Sequence, residues 1–437
     1  MRSYVPNTEG ERKEMLSSMG LSSMDELFRD IPDELKLSRP LNLPEGKSET
    51  EIRRIFRAYA ERTNSSMPLF RGAGAYRHYI PSLIPQLLMR SEFYTAYTPY
   101  QAEMSQGMLQ AIFEYQTLMC RLTGMDVSNA SVYDGATAAA EAMLMLRDAK
   151  RKQKILISDG LNPDVIAVIH TYARFARLEC VSIPLNSDGT TDMDALSANS
   201  DGAAGYIVAN PNFFGCLENM DEISAAVHGF GGLLVSYVNP ISLSLVKRPG
   251  DYGADIAVGD AQPLGLPLSF GGPYCGFMCS TQKLIRNLPG RIAGQTSDAE
   301  GNRVFVLTLQ AREQHIRREK ASSSVCSNEA LCALRAGAYL AAMGPEGLRD
   351  VAAQCYSKAH YLADRLAEAG LTRAHAGEFF HEFVTKCDQP EKLLAALSEN
   401  GILGGLPVEG GVLWCVTEAN TREELDRTAA IAKEVRA

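Results

Sequence analysis

The chain has 437 residues, 46% hydrophobic and 22% charged, with a formal net charge of -9. That length exceeds what one hydrophobic core usually organises, and the acidic balance argues against a nucleic-acid partner, which needs a broad basic surface. Ten cysteines are dispersed without a paired framework, which suggests a reducing compartment rather than disulfides, and His and Cys show no zinc-ligand spacing. The opening MRSYVPNTEGERKEML has acids and no apolar core, so it does not read as a secretory signal. No apolar run approaches the ~20 residues of a membrane helix. A soluble, cytoplasmic protein without a membrane partner is expected.

Residues 1–75 read as a helical N-terminal arm. Thr8 is a cap for ERKEMLSSM with Gly20 near its end, and Ser48 is a cap for TEIRRIFRAYAER. The stretch Gln101 to Leu122 then carries Met104, Met108, Ile112, Tyr115, Met119 and Leu122 at helical spacing, with Gly124 as a stop. Those methionines are expected in a core. Short apolar strands follow, KILISD, LECVSIP, AGYIVAN, GLLVSYV, DIAVGD and YCGFMCS. They alternate with helical patterns at TAAAEAMLMLRDA, NPDVIAVIHTYARFA and MDEISAAVHGF. Such alternation predicts an α/β domain over 76–326 with a mostly parallel sheet covered on both faces. A smaller C-terminal α/β domain is expected over 327–437, with strands at FFHEFVT and VLWCVT and helices at PEKLLAALSE and TREELDRTAAIAKEV.

Four features bear on chemistry. The turn Asp134-Gly135-Ala136-Thr137 opens an alanine-rich helix, and free N–H groups at a helix start suit an anion such as a cofactor phosphate. The alternative is a tight turn in which Asp134 or Thr137 merely caps the helix. The second feature is an absence. An aminotransferase-like enzyme using pyridoxal phosphate (PLP) needs a strand carboxylate for the pyridinium nitrogen and a lysine for the Schiff base. Here the acid position is occupied by Ser236-Tyr237-Val238 and the lysine position by Ala261-Gln262-Pro263-Leu264, and no lysine occurs between Lys247 and Lys283. Third, the stretch from Glu92 to Gln101 holds Tyr94, Tyr97 and Tyr100 just before the long helix, which suits either an interface or an ordinary loop. Fourth, Arg312, His315, Arg317, Arg318 and Lys320 concentrate positive charge, suited to phosphate, carboxylate or an acidic partner. Glu313 and Glu319 offset part of it, so a solvated charged face is the alternative.

Long strings in this chain resemble the glycine decarboxylase P-protein family. They include HYIPSLIPQLLMRSEFYTAYTPYQAEMSQGMLQAIFEYQTLMCRLTGMDVSNASVYDGATAAAEAML, GDYGADIAVGDAQPLGLPLSFGGPYCGF and GRIAGQTSDAEGNRVFVLTLQAREQHIRREKASSSVCSNEAL. The length is about half that of the fused P-protein, and the missing lysine resembles the α subunit (subunit 1) of the split form. The resemblance implies the aminotransferase-like fold (PLP-dependent transferase fold type I) and a place in the glycine cleavage system. It also implies PLP held by a partner β subunit (subunit 2), an α2β2 assembly, and an aminomethyl group passed to lipoylated H-protein. No catalytic residue is then expected in this chain, with Pro263 near the Schiff-base position, Ser236 near the pyridinium-acid position, and the Asp134–Thr137 turn vestigial. Tyr97, Tyr100 and Gln101 become candidates for approaching the partner's active site. Arg312, His315 and Arg318 become candidates for ordering the interface or the lipoyl channel. Two rival readings stay open: a self-sufficient PLP lyase or aminotransferase using Lys247 or Lys283, and a non-catalytic scaffold or regulatory protein.

Overall fold

A computed structural model describes residues 6–63, 66–321, 323–325 and 327–436. The first five residues, and Ser322 and Cys326 within the basic stretch and its continuation, lie outside them. The chain separates into two compact units, residues 1–65 and 66–437.

The first unit holds helices α1 (Glu9–Ser18) and α2 (Glu49–Arg62). Both begin as the sequence predicts, in capping boxes. The Thr8 hydroxyl accepts from the Glu11 N–H and the Ser48 hydroxyl from the Glu51 N–H, while each glutamate side chain accepts from the cap backbone in return. Gly20, left-handed at φ 71°, follows the end of α1.

The second unit begins with α3 (Leu83–Leu88) and α4 (Gln106–Thr123), the latter stopped by left-handed Gly124 as its sequence predicts. The long helix starts later than its apolar spacing suggests. Residues Ala102–Met104 form a separate 3-10 turn, and Met104 is 79% exposed rather than part of the core. Ser105, at φ -124° and ψ 22°, leaves the helical region and breaks the two apart.

Then come β1 (Val127–Ser128), α5 (Gly135–Lys150), β2 (Lys154–Ser158), α6 (Pro163–Ala176), β3 (Glu179–Ile183) and α7 (Met193–Ala198). They are followed by β4 (Ala203–Ala209), α8 (Met220–Gly229), β5 (Leu233–Tyr237), β6 (Ile256–Asp260) and β7 (Gly276–Ser280). The seven strands form one sheet in the order β1-β7-β6-β5-β4-β2-β3. Strands β3, β2, β4, β5 and β6 run parallel, and β7 runs antiparallel to both β6 and β1. Every residue of central β4 is buried, as expected of a strand covered on both faces. One face packs on α5 and α6 through residues such as Ala138, Ala142, Ile169 and Val235. The other packs on α8 through Tyr206, Ile223, Val227 and Leu234.

A hairpin that the sequence reading missed follows, β8 (Ile292–Ser297) and β9 (Arg303–Thr308), turning at Gly301 with Asp298 accepting from the Asn302 N–H. A short helix α9 (Gln314–Arg317) leads to α10 (Ala330–Glu368), which breaks at Gly344 before Pro345. The chain ends with β10 (Glu382–Lys386), α11 (Pro390–Glu399), β11 (Leu406–Val408), β12 (Gly411–Cys415) and α12 (Arg422–Arg436). The last three strands make an antiparallel sheet, β10-β12-β11, around the buried indole of Trp414. The α/β architecture with a mostly parallel sheet is the one the strand and helix pattern implies.

One acid stands out on α5. Glu141 is 2% exposed, its Oε1 has no hydrogen-bond partner, and burial raises its carboxyl to about 7. Between about pH 4.5 and 7 the unfolded chain releases this proton while the folded chain keeps it, so stability falls as pH rises through that window. The loss is up to about 3 kcal/mol. Glu141→Gln should therefore flatten the decline in urea-unfolding free energy between pH 5 and pH 8, and an unchanged slope would remove this residue from the account.

Candidate functional site

In sheets of this topology, ligands bind beyond the carboxyl ends of the parallel strands. Here that region is bounded by Tyr237 at the end of β5, Asp260 at the end of β6 and the first turn of α5. The side chains there answer one another. Asp134 caps α5, its carboxylate accepting from the Thr137 N–H at 2.7 Å. Asp260 accepts from the Gly135 N–H at 3.0 Å, from the Gln262 N–H at 2.8 Å and from the Cys275 N–H at 3.4 Å. Burial pushes the Asp260 carboxyl above its ordinary value, and these three N–H groups pull it partly back. A β-carbon placed on Gly135 would lie 2.5 Å from the Tyr237 hydroxyl and 3.0 Å from the Asp260 nitrogen. The helix start is thus filled from within, and glycine is needed because strand and helix approach so closely.

The neighbouring positions are closed as well. Ser236 is fully buried and its hydroxyl meets that of Tyr252 at 2.6 Å, on the opposite face from Tyr237. Pro263 is buried in the turn after β6. Beside it, the Gln262 side chain accepts from the Tyr76 N–H and donates to the carbonyls of Tyr76 and Leu266, each at 2.8 Å. Tyr76 donates its hydroxyl to Glu382 at 2.7 Å. Lys247 pairs with Asp221 at the surface, 2.6 Å away. Lys283 follows β7, whose antiparallel course carries it to the opposite end of the sheet from the Asp260 turn. Neither lysine supports the self-sufficient reading. PLP needs an amine, a ring acid and a vacant phosphate seat, and the residues here do not fit it.

The tyrosine stretch and the basic run, separate in sequence, partly meet. Tyr100 lies edge-on to His315 with ring centroids 5.9 Å apart. His315 Nδ1 is 3.5 Å from the buried carboxylate of Glu313. Arg312 donates to the carbonyls of Leu309 and Gly290, and burial lowers its guanidinium from the usual value. Sequence reasoning missed the residue that links them. Arg291, 3% exposed, donates to the Tyr100 hydroxyl at 2.7 Å, with its guanidinium carbon 5.2 Å from the ring centroid. Tyr97, 86% exposed, and exposed Gln101 stay outside this cluster. Arg318 lines a different cavity, with Glu141, Arg147, Tyr172 and Phe175.

The fold also gathers His78, Cys355 and Glu418, whose potential ligand atoms lie within 4.8 Å of one another although their sequence spacing shows no metal pattern. Glu418 is already engaged there: it contacts His78 Nδ1 at 2.8 Å, accepts from the Tyr79 N–H at 2.6 Å, and takes the Cys355 thiol at 3.3 Å. This is a clamp between distant segments.

Sheet order, strand directions and the position of the cleft define the class as the aminotransferase-like, type I fold of PLP-dependent enzymes. Two distant structures share that fold: Lactobacillus brevis glutamate decarboxylase (14% identity, TM-score 0.68, 95% of this chain and 96% of that one) and Burkholderia pseudomallei sphingosine-1-phosphate lyase (13%, 0.67, 93% and 94%). The glycine cleavage system P-protein family matches residues 2–431, and the chain belongs to that family. It is 52% identical to the probable glycine dehydrogenase (decarboxylating) subunit 1 of Moorella thermoacetica and 50% identical to that of Carboxydothermus hydrogenoformans, over 98% of each chain. A crystal structure of glycine decarboxylase (P-protein) in inhibitor-bound form superposes with a TM-score of 0.93 at 42% identity, covering 99% of this chain and all of that one.

Removing the Asp260 carboxyl leaves three backbone N–H groups without their acceptor, at a cost of about 2–4 kcal/mol. Asp260→Ala should lower the urea midpoint accordingly. Inorganic phosphate should restore part of the loss in the variant while leaving the parent chain unchanged. Phosphate stabilising both equally would mean that Asp260 does not fill the anion seat.

Proposed function

We propose that this chain is subunit 1 of a split glycine-decarboxylating P-protein, inactive alone and obligatory in the complex. The observation that carries this reading is the cleft, where Asp260, Gln262 and Tyr237 fill the space a cofactor needs. The PLP belongs to a second subunit carrying the Schiff-base lysine, most simply in an α2β2 assembly. Glycine is decarboxylated there, and the aminomethyl group passes to the lipoyl arm of H-protein. Among the described residues no helix is long and apolar enough to cross a membrane, in keeping with a cytoplasmic site for this work. Tyr97, Tyr100 and Gln101 face the second subunit, with Arg312 and His315 ordering the ground behind Tyr100, and Arg318 belongs to a separate part of the interface or channel. The domain division that accompanies this reading is an arm to about residue 75, a large domain to about 326 and a small domain to the end.

Two experiments test it. Incubating the purified chain with PLP and then borohydride should leave no stoichiometric pyridoxyl-lysine, and glycine decarboxylation should appear only when a lysine-bearing second subunit is added. An adduct on Lys247 or Lys283, or full activity with this chain omitted, defeats the reading. Separately, Tyr97→Ala should weaken assembly about tenfold, roughly 1.4 kcal/mol, without changing the circular dichroism of this chain. Unchanged association would return Tyr97 to an ordinary loop residue.

A further inference from the structure

His78, Cys355 and Glu418 come from three separate parts of the chain: the segment before α3, the second half of α10, and the turn between β12 and α12. Little of them meets solvent. Cys355 is fully enclosed, and the His78 and Glu418 side chains are 2% and 7% exposed. Among the described residues they are the one group of three histidine, cysteine or acidic side chains whose ligand atoms lie within 4.8 Å of one another. The carboxylate is held in a fixed pose. Its Oε1 accepts from the Tyr79 N–H at 2.6 Å, which leaves Oε2 facing the other two, 2.8 Å from His78 Nδ1 and 3.3 Å from Cys355 Sγ.

Bond lengths of ~2.0–2.3 Å around a tetrahedral zinc ion put neighbouring ligand atoms roughly 3.3–3.5 Å apart. The sulfur–oxygen pair already has that spacing, and the nitrogen–oxygen pair needs to open by about half an ångström. One thiolate and one carboxylate balance a divalent cation, so the loaded group is neutral, which suits a buried position. Burial and the neighbouring Glu418 carboxylate push the Cys355 thiol well above its ordinary value, and a bound cation is what removes such a proton. Two imidazole nitrogens here, His78 Nε2 and His381 Nδ1, are buried without a partner, and both rings lie beside Tyr76, with centroids 6.4 and 4.7 Å away. When His78 Nδ1 takes the ion, the proton of the neutral ring moves to Nε2, which no other group competes for.

We propose that His78 Nδ1, Cys355 Sγ and Glu418 Oε2 form a zinc site, the thiol proton passing to solvent as the ion binds. Three protein ligands leave a fourth position for water. Thiolate and imidazole select zinc over magnesium and calcium, which take sets of oxygens. The ion replaces hydrogen bonds with metal bonds at the point where the early segment, α10 and the turn after β12 meet. The proposal stands independently of the subunit reading.

The test uses the full-length chain, stripped with chelator under reducing conditions and then titrated with zinc or cobalt(II). The parent should bind one ion per chain, show a thiolate-to-cobalt charge-transfer band, and gain urea midpoint with zinc. X-ray absorption of the zinc form should give one sulfur at about 2.3 Å beside nitrogen and oxygen ligands. Cys355→Ser keeps a hydroxyl for Glu418, and should lose the cobalt band and bind zinc at least about tenfold more weakly. Glu418→Gln should weaken zinc binding by a similar factor. A parent that takes up no ion overturns the site. So does a cobalt band that persists in Cys355→Ser, because the metal then sits on other thiols. If neither variant folds, the sulfur count in the parent decides the matter: none, or two or more, overturns the site.

Discussion

The Asp260 carboxyl, accepting from Gly135 across the gap between β6 and α5 and from Gln262 in its own turn, ties the sheet, the first turn of α5 and the following loop together. A helix N-terminus carries partial positive charge and free N–H groups, so something must satisfy them. In an enzyme that binds a phosphorylated cofactor there, the ligand does so. Here the Asp260 and Asp134 carboxylates do. Tyr237 against Gly135, and Gln262 stitched to Tyr76, follow from the same constraint: once the seat is filled, the surrounding groups pack on one another.

On the reading proposed above, two subunits of one fold divide these demands. One must keep polar groups unsatisfied until substrate and cofactor arrive, which costs stability. The other is free to satisfy its own. Among the described residues, buried side-chain atoms without a hydrogen-bond partner include Arg291 Nε, Glu313 Oε1, Glu141 Oε1 on α5 and His381 Nδ1.

Much of this was legible in the sequence. The strands of the parallel sheet announce themselves as short apolar runs between helices, and Thr8, Ser48 and Gly124 mark helix ends by local chemistry alone. The absence of a lysine between Lys247 and Lys283 is likewise a fact of composition. What was hidden depends on tertiary approach. Asp260 ends an ordinary strand, and nothing local says that its carboxyl reaches a turn 125 residues earlier. Arg291 is a single arginine after a Pro-Gly pair, and only the fold brings Tyr100 and Asn328 to it. The hairpin itself had a visible signal, the β-forming run RVFVLT from Arg303 to Thr308 after a DAEGN turn, that a search for helix-linked strands passes over. Met104 shows the reverse error: its spacing fits the long helix, but the backbone at Ser105 interrupts it.

The segment from Pro68 to Tyr79 also has a consequence in time. Phe70 exchanges backbone hydrogen bonds with Leu403 and Cys415, Tyr76 reaches Glu382 across 306 residues, and His78 and Tyr79 close on Glu418 across about 340. This segment therefore lacks these partners until chain more than about 300 residues further on has been made. Contacts of such long range form late and slowly, and the waiting segment is exposed meanwhile. The body therefore closes only once segments 306 and about 340 residues apart are both present.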